Sequence, residues 1–111
     1  MTDVPELSPE QFRERWPELT RSDKAVLLDV REPQGLEIAS LPGAQHIPMR
    51  EIPHRLDELN QGKPLVVMCH SGGRSRQVAG YLRAVGFREV FNLTGGIDAW
   101  SQDIDPQIPR Y

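Results

Sequence analysis

Short apolar runs, separated by longer polar stretches, dominate the hydrophobic pattern of this chain. Leu65 to Met68 is the longest run and continues into Cys69, and two further runs cover Ala25 to Val30 and Glu89 to Leu93. Runs of this length, rich in β-branched residues and bounded by turns, predict buried strands of a parallel sheet. A shorter strand is predicted over Ala44 to Ile47.

Between these runs, apolar residues recur at helical spacing. Ser8 is predicted to cap a helix that begins at Pro9, with Gln11 closing a capping box. The other predicted helices are one short turn within Glu32 to Leu41, a helix from about Ile52, one over Ser75 to Val85, and a short one through Trp100 into which Thr94-Gly95-Gly96 leads. Strands that alternate with helices predict an α/β domain of three layers with a mainly parallel sheet. We expect one domain over residues 1–111, with a core of about 6–101 and an irregular tail over 102–111.

Composition narrows the classes of function. The chain has 111 residues, a net charge of −3 and a single cysteine, so the sequence excludes an internal disulfide and a cysteine-rich metal site. His46, His54 and His70 show no ligand spacing, and neither a metal nor a cofactor is expected. The acidic balance gives no reason to expect nucleic-acid binding. No apolar run reaches membrane-spanning length and the first ten residues are polar, so a cytoplasmic protein without membrane contact is expected.

The charges are unevenly distributed. No Asp or Glu lies between Asn60 and Arg88, whereas Lys63, Arg74, Arg76, Arg83 and Arg88 all lie there. A basic segment in an acidic chain suits a small anionic substrate. For Arg83 and Arg88 taken singly, solvated surface positions are an equal alternative.

Cys69 stands at the junction between a predicted strand and a predicted helix, where unpaired N–H groups and the helix dipole stabilise anions. His70 and Ser71 follow it, Gly72 and Gly73 allow the amides to turn inward, and Arg74 adds a positive charge. Ser75 is predicted to cap the helix. Together these features predict a lowered thiol pKa and a nucleophile at neutral pH. A small buried core residue is the alternative for a lone cysteine.

Asp29 and Arg31 fall near the end of a second predicted strand, where open α/β sheets place their ligands. We therefore expect both residues close to the site. Two roles are open for them: a scaffold of ion pairs behind the loop, or direct contact with substrate.

Four motifs in this order resemble the rhodanese-like sulfurtransferases, and specifically a single-domain rhodanese. They are Leu28-Asp29-Val30-Arg31-Glu32-Pro33, Leu41-Pro42-Gly43-Ala44 with Ile47-Pro48, Cys69-His70-Ser71-Gly72-Gly73-Arg74-Ser75, and Asn92-Leu93-Thr94-Gly95-Gly96-Ile97-Asp98-Ala99-Trp100. The resemblance covers nearly the whole chain. It implies a central five-stranded parallel sheet with helices on both faces, and a catalytic cysteine that carries a persulfide.

Two departures from the family's pattern affect how far the family's properties can be carried over to this chain. Many relatives have Gly-His-Ile-Pro-Gly-Ala where this chain has Ala39-Ser40-Leu41-Pro42-Gly43-Ala44, and many have Arg directly after the cysteine, where this chain has His70. Because that second loop residue helps to line the entrance in relatives, substrate choice is affected more than the chemistry. His70 could shuttle a proton or contact the acceptor, or it could be an exposed loop residue without a chemical task.

The expected activity is transfer of sulfane sulfur from thiosulfate or a persulfide through Cys69, with the amides from His70 to Ser75 and the Arg74 guanidinium binding the anionic donor. The acceptor would be cyanide in an assay, or a thiol or sulfur-carrier protein in the cell, and the protein would act as a monomer or weak homodimer. One alternative is a cysteine phosphatase or arsenate reductase, although those resemble Cys-x5-Arg and Arg74 gives Cys-x4-Arg. The other is a rhodanese-like module that binds without catalysis.

Overall fold

The computed structural model describes residues 4–17 and 24–111 and builds them around one five-stranded parallel sheet in the order β1-β5-β4-β2-β3. The strands are β1 (Glu6–Leu7), β2 (Val26–Asp29), β3 (Gln45–His46), β4 (Leu65–Met68) and β5 (Val90–Leu93). The α-helices of the described residues are α1 (Pro9–Arg15), α2 (Pro33–Ile38), α3 (Gly73–Ala84) and α4 (Gly96–Asp103).

The side chains of β4 show why the sheet is covered on both faces. Leu65, Val67 and Cys69 pack into one core with Val78, Ala79 and Leu82 of α3. Val66 and Met68 point to the opposite face, into a second core that contains Phe12 of α1 and Trp100 of α4. The central strand is thus buried on both sides, as an uninterrupted apolar run requires. The expected three-layer α/β/α fold with a five-stranded parallel sheet is confirmed.

The N-terminal segment contains the predicted capping box and also a strand, β1, that the hydrophobic pattern does not predict. Ser8 and Gln11 form the expected capping box: the Gln11 N–H donates to Ser8 Oγ at 3.1 Å, and the Ser8 N–H donates to Gln11 Oε1 at 2.9 Å. Just before this cap, β1 pairs with β5 through Glu6–Asn92 and Leu7–Leu93. A strand of two residues has no alternating pattern, so it escapes a periodicity argument.

The segment from Met49 to Glu58 differs from the expected α-helix. It forms two 3₁₀ helices, Met49–His54 and Leu56–Glu58, with Pro53 inside the first. Proline lacks the N–H that an α-helix needs and its ring collides with the preceding turn. The tighter helix keeps Ile52 and Leu59 buried without that hydrogen bond.

The carboxyl ends of β2 and β4 lie side by side, since Asp29 pairs with Met68. From β2 the chain continues to β3 at one edge of the sheet, whereas from β4 it continues to β5 in the opposite direction. Such a switch point is where open α/β sheets place their ligands. Among the described residues, no helix combines the length and apolarity needed to cross a membrane.

Candidate active site

Cys69 follows the last residue of β4, and the loop after it leads directly into α3. The helix begins at Gly73, with Gly72 as its N-cap in a left-handed conformation (φ +107°). The prediction that Ser75 caps the helix was wrong, because Gly72 takes an angle open to glycine and starts the helix two residues earlier. Ser75 instead lies fully buried inside the first turn, with its hydroxyl turned toward β5.

The carbonyl groups of the loop are held by neighbouring elements. The first N–H groups of α4 bind them: Ile97 N–H donates to the Cys69 carbonyl at 3.0 Å, and Asp98 N–H donates to the His70 carbonyl at 3.1 Å. The Asn92 amide donates to the Gly72 carbonyl at 3.0 Å. Because C=O and N–H point in opposite directions across a planar peptide, holding these carbonyls turns the following N–H groups to the other side.

Gly96 makes this close approach of α4 possible. A Cβ atom there would lie 2.3 Å from the Cys69 carbonyl oxygen and 2.6 Å from that of His70, and its φ is +61°. Both the space and the backbone angle therefore require glycine. In the sequence, Gly96 stands out only as part of the motif from Asn92 to Trp100.

The Cys69 thiol is 1% exposed and faces the loop amides, with the Gly72 N–H 3.1 Å from Sγ. Burial raises the pKa of Cys69, but hydrogen bonds from the Ser75 hydroxyl and from the N–H groups of Ser75, Gly72 and Ser71 outweigh it. The net result is a pKa below the ordinary value for a thiol. The sulfur is therefore buried, but its polar environment favours the thiolate over the thiol.

The loop above the sulfur is open to solvent. Ser71, Gly73 and Arg74 are exposed, His70 is half-buried and Gly72 is buried. Arg74, in the first turn of α3, is thus accessible to solvent. Within the described residues, no group of three or more His, Cys, Asp or Glu side chains is arranged to hold a metal ion.

Asp29 and Arg31 form a buried ion pair at the end of β2, with both side chains 1% exposed and 2.7 Å between Asp29 Oδ2 and Arg31 Nη2. The Arg31 guanidinium also donates to the carbonyls of Gly35 at 3.0 Å and Ala39 at 2.8 Å. Burial lowers the pKa of Arg31, but its hydrogen bonds to Asp29 and Tyr111 outweigh this effect, and the net result is a raised pKa. This geometry favours the scaffolding role over direct contact with substrate.

Tyr111 contacts the site although the tail gave no signal for it. Its ring stacks on the His70 imidazole at 4.1 Å and 10°, and its hydroxyl accepts from Arg31 Nη1 at 2.7 Å. A Cβ at Gly35 would lie 2.8 Å from this hydroxyl, so glycine leaves room for it. His70 Nε2 is buried and has no hydrogen-bond partner among the described residues.

The segment before Tyr111 is bound to α4, which extends to Asp103, three residues past its predicted end at Trp100. Arg110 Nε lies 2.9 Å from Asp98 Oδ1, and this contact lowers the pKa of Asp98. The Ser101 hydroxyl donates to the Ile108 carbonyl. The tail is therefore irregular but bound to the helix whose N-terminus holds the loop.

A buried thiol at the carboxyl end of a parallel strand, with N–H groups directed at it and a lowered pKa, defines an α/β protein with a cysteine at its ligand-binding edge. The rhodanese-like domain model matches residues 13–103, so this chain belongs to the rhodanese-like family.

Relatives of known name resemble this chain over most of its length. It is 36% identical to the thiosulfate sulfurtransferase GlpE of Pseudomonas syringae pv. syringae, covering 90% of each chain. It is 43% identical to the rhodanese-like/PpiC domain-containing protein 12 of Arabidopsis thaliana, a chloroplastic protein, across 97% of this chain but only 38% of that protein. A solved rhodanese-like domain protein from Staphylococcus aureus superimposes with a TM-score of 0.80 at 27% identity, covering 97% of this chain and 99% of that one.

Proposed function

We propose that this protein is a thiosulfate sulfurtransferase that carries sulfane sulfur as a persulfide on Cys69. The observation that supports it most directly is the Cys69 sulfur beneath its loop, with the Gly72 N–H 3.1 Å away and the thiol pKa lowered. The 36% identity to a protein named thiosulfate sulfurtransferase, over 90% of both chains, supports the same reaction.

In the first half-reaction, the Cys69 thiolate attacks the outer sulfur of thiosulfate. A bond forms between Sγ and that sulfur, the sulfur–sulfur bond of thiosulfate breaks, and sulfite leaves with the bonding electron pair. In the second half-reaction, an acceptor such as cyanide attacks the outer sulfur of the persulfide. Thiocyanate leaves and the Cys69 thiolate is restored, so no external oxidant or reductant is needed.

The loop is suited to the persulfide as well as to the thiolate. The outer sulfur would extend about 2 Å beyond Sγ, the length of a sulfur–sulfur bond. The backbone N–H groups between His70 and Ser75 would then bind its negative charge, as an oxyanion hole binds a developing anion. Arg74, exposed at the rim, would orient the oxygens of thiosulfate and stabilise the departing sulfite.

The physiological acceptor would be a thiol or a sulfur-carrier protein, because either attacks sulfane sulfur as cyanide does. The single cysteine supplies no second thiol to resolve the persulfide, so the sulfur must leave to another molecule. A free reactive thiol of this kind suits a reducing compartment such as the cytoplasm.

A thiosulfate:cyanide assay tests the proposal. The native protein should form thiocyanate, and Cys69→Ser should form none, since serine lacks a nucleophile at neutral pH. Because only the thiolate attacks, the rate should fall about tenfold for each pH unit below the lowered Cys69 pKa and level off above it. Hydrolysis of p-nitrophenyl phosphate without thiocyanate formation would overturn the proposal in favour of a phosphatase. Absence of both activities in the folded protein would favour a binding module.

A further inference from the structure

Asn92 is a polar side chain in the middle of the buried sheet. It lies in β5 and is 3% exposed, and its strand neighbours β4, which leads to Cys69. A buried amide is costly unless each of its polar groups is paired. The partners of Asn92 therefore show what its position requires.

These partners leave one orientation for the amide. Nδ2 lies 3.0 Å from the Gly72 carbonyl oxygen and 3.0 and 3.2 Å from the two carboxylate oxygens of Glu6, all of which only accept. Nδ2 must then be the donating NH₂ group, and Oδ1 accepts the Ser75 hydroxyl at 2.5 Å. Asn92 thus joins Glu6 of the edge strand to Gly72, the N-cap of α3, and to Ser75 in its first turn.

We propose that Asn92 is a positioning residue of the Cys69 site: it binds the Gly72 carbonyl and the Ser75 hydroxyl together and so holds the loop N–H groups toward the sulfur. Glu6 anchors the amide from its far side. The effect of Asn92 on catalysis rests on the proposed function. Its effect on the pKa of the Cys69 thiol does not.

Gly72 has a φ of +107° and no side chain, so hydrogen bonds fix the orientation of its peptide groups. Its carbonyl accepts from the Arg76 N–H and the Ser75 hydroxyl, both at 3.2 Å, and from Asn92 Nδ2 at 3.0 Å. The bond from Asn92 is the shortest of the three and the one that comes from outside α3. Holding the Gly72 carbonyl directs the N–H of the next peptide away from Asn92. The Gly72 N–H lies 3.1 Å from Sγ, so this residue is held through its carbonyl by Asn92 and through its N–H by the sulfur.

The Ser75 hydroxyl has one proton and more than one acceptor. It donates to Asn92 Oδ1, and it is also within reach of the sulfur, where it helps to lower the Cys69 pKa. Rotation about the Cβ–Oγ bond redirects the hydroxyl's hydrogen bond from Asn92 Oδ1 to the thiolate without moving a heavy atom, and the proton stays on Oγ. Asn92 keeps this hydroxyl in place while the sulfur is neutral.

The direction of the pKa change distinguishes positioning from competition. If Asn92 positions the loop, its removal weakens the bonds to the thiolate and the Cys69 pKa rises. If Asn92 merely competes for the Ser75 proton, its removal frees that proton for the sulfur and the pKa falls. A purely structural residue would lower the stability and leave the pKa unchanged.

The experiment is alkylation of Cys69 by iodoacetamide as a function of pH in the native protein, Asn92→Ala and Thr94→Ala. Cys69 is the single cysteine, so the label reports one site. Asn92→Ala should raise the pKa by about one unit, which slows alkylation about tenfold at pH values below it and leaves the alkaline plateau within twofold. Thr94→Ala is the matched control: Thr94 Oγ1 donates to Glu6 Oε1 at 3.0 Å, so this variant disturbs the same carboxylate but not the loop, and its profile should stay native.

An unchanged or lowered pKa in folded Asn92→Ala would overturn the inference, as would an equal rise in Thr94→Ala. Circular dichroism establishes folding, and Asn92→Val, which places a β-branched residue in the strand, replaces the alanine variant if that fails to fold. Asn92→Val should give the same rise, because valine can bind neither the Gly72 carbonyl nor the Ser75 hydroxyl. Since alkylation needs no sulfur transfer, this result stands even if the thiosulfate assay fails.

Discussion

Gly96→Ala should damage both the stability and the activity, because α4 holds the cysteine loop through a contact that has no room for a side chain. The new Cβ would lie 2.3 Å from the Cys69 carbonyl oxygen, well below the 3.0 Å that real Cβ contacts respect. To relieve this overlap, the N-terminus of α4 must withdraw. That movement stretches the bonds of 3.0 and 3.1 Å that Ile97 and Asp98 donate to the loop carbonyls.

The expected loss of stability follows from two terms. Overpacking a rigid site costs about 1–3 kcal/mol. Placing alanine at the left-handed φ of +61° adds about 1 kcal/mol. The sum, about 2–4 kcal/mol, corresponds to a fall in Tm of roughly 10–20 °C for a domain of this size. Because the displaced carbonyls no longer direct their amides at Cys69, we also expect kcat/KM for thiosulfate to fall at least about tenfold.

Thermal unfolding and the thiosulfate:cyanide assay measure the two effects, with Gly80→Ala as the matched control. Gly80 lies within α3, and a Cβ there would make an ordinary contact of 3.7 Å with Val4 Cγ2. That variant should keep full activity and gain about 0.5–1 kcal/mol from the helix preference of alanine. If Gly96→Ala matched Gly80→Ala in Tm and activity, the role assigned to the α4 N-terminus would be wrong.

Substitutions at three further positions test the surroundings of the loop. Arg31→Met leaves Asp29 buried without its partner, so urea unfolding should show a loss of about 3–5 kcal/mol, and a loss below 1 kcal/mol would contradict the scaffold role. Tyr111→Phe keeps the ring but removes the acceptor for Arg31, so the same assay should show a loss of about 1 kcal/mol, and Tyr111→Ala should show more. Arg74→Gln should raise KM for thiosulfate roughly tenfold while the pH profile of Cys69 alkylation stays native, and a shifted profile would contradict an orienting role.

Much of the fold could be predicted because local patterns determine it. The apolar runs at β2, β4 and β5 mark strands buried on both faces, and the Ser8 capping box is a short-range signal. The 3₁₀ helices from Met49 to Glu58 were missed because burial of Ile52 and Leu59 fits either helix type, and only Pro53 indicates the tighter one.

The candidate site was less accessible to sequence reasoning, because its supporting contacts join residues far apart in the chain. Glu6 and Asn92 are separated by 86 positions, and Arg31 and Tyr111 by 80. Cys69 itself could be chosen because its signals lie within a few residues. The misplaced cap at Ser75 came from residue type alone, which does not show that Gly72 has a positive φ and begins the helix earlier.

The central claim is that the Cys69 sulfur is a nucleophile that accepts sulfur from thiosulfate. Mass spectrometry of the intact protein after treatment with thiosulfate and removal of excess reagent measures this directly. We expect a gain of one sulfur atom, located at Cys69 by peptide mapping, removed by cyanide and absent in Cys69→Ser. A native protein that gains no sulfur, or a Cys69→Ser variant that gains as much, would contradict it.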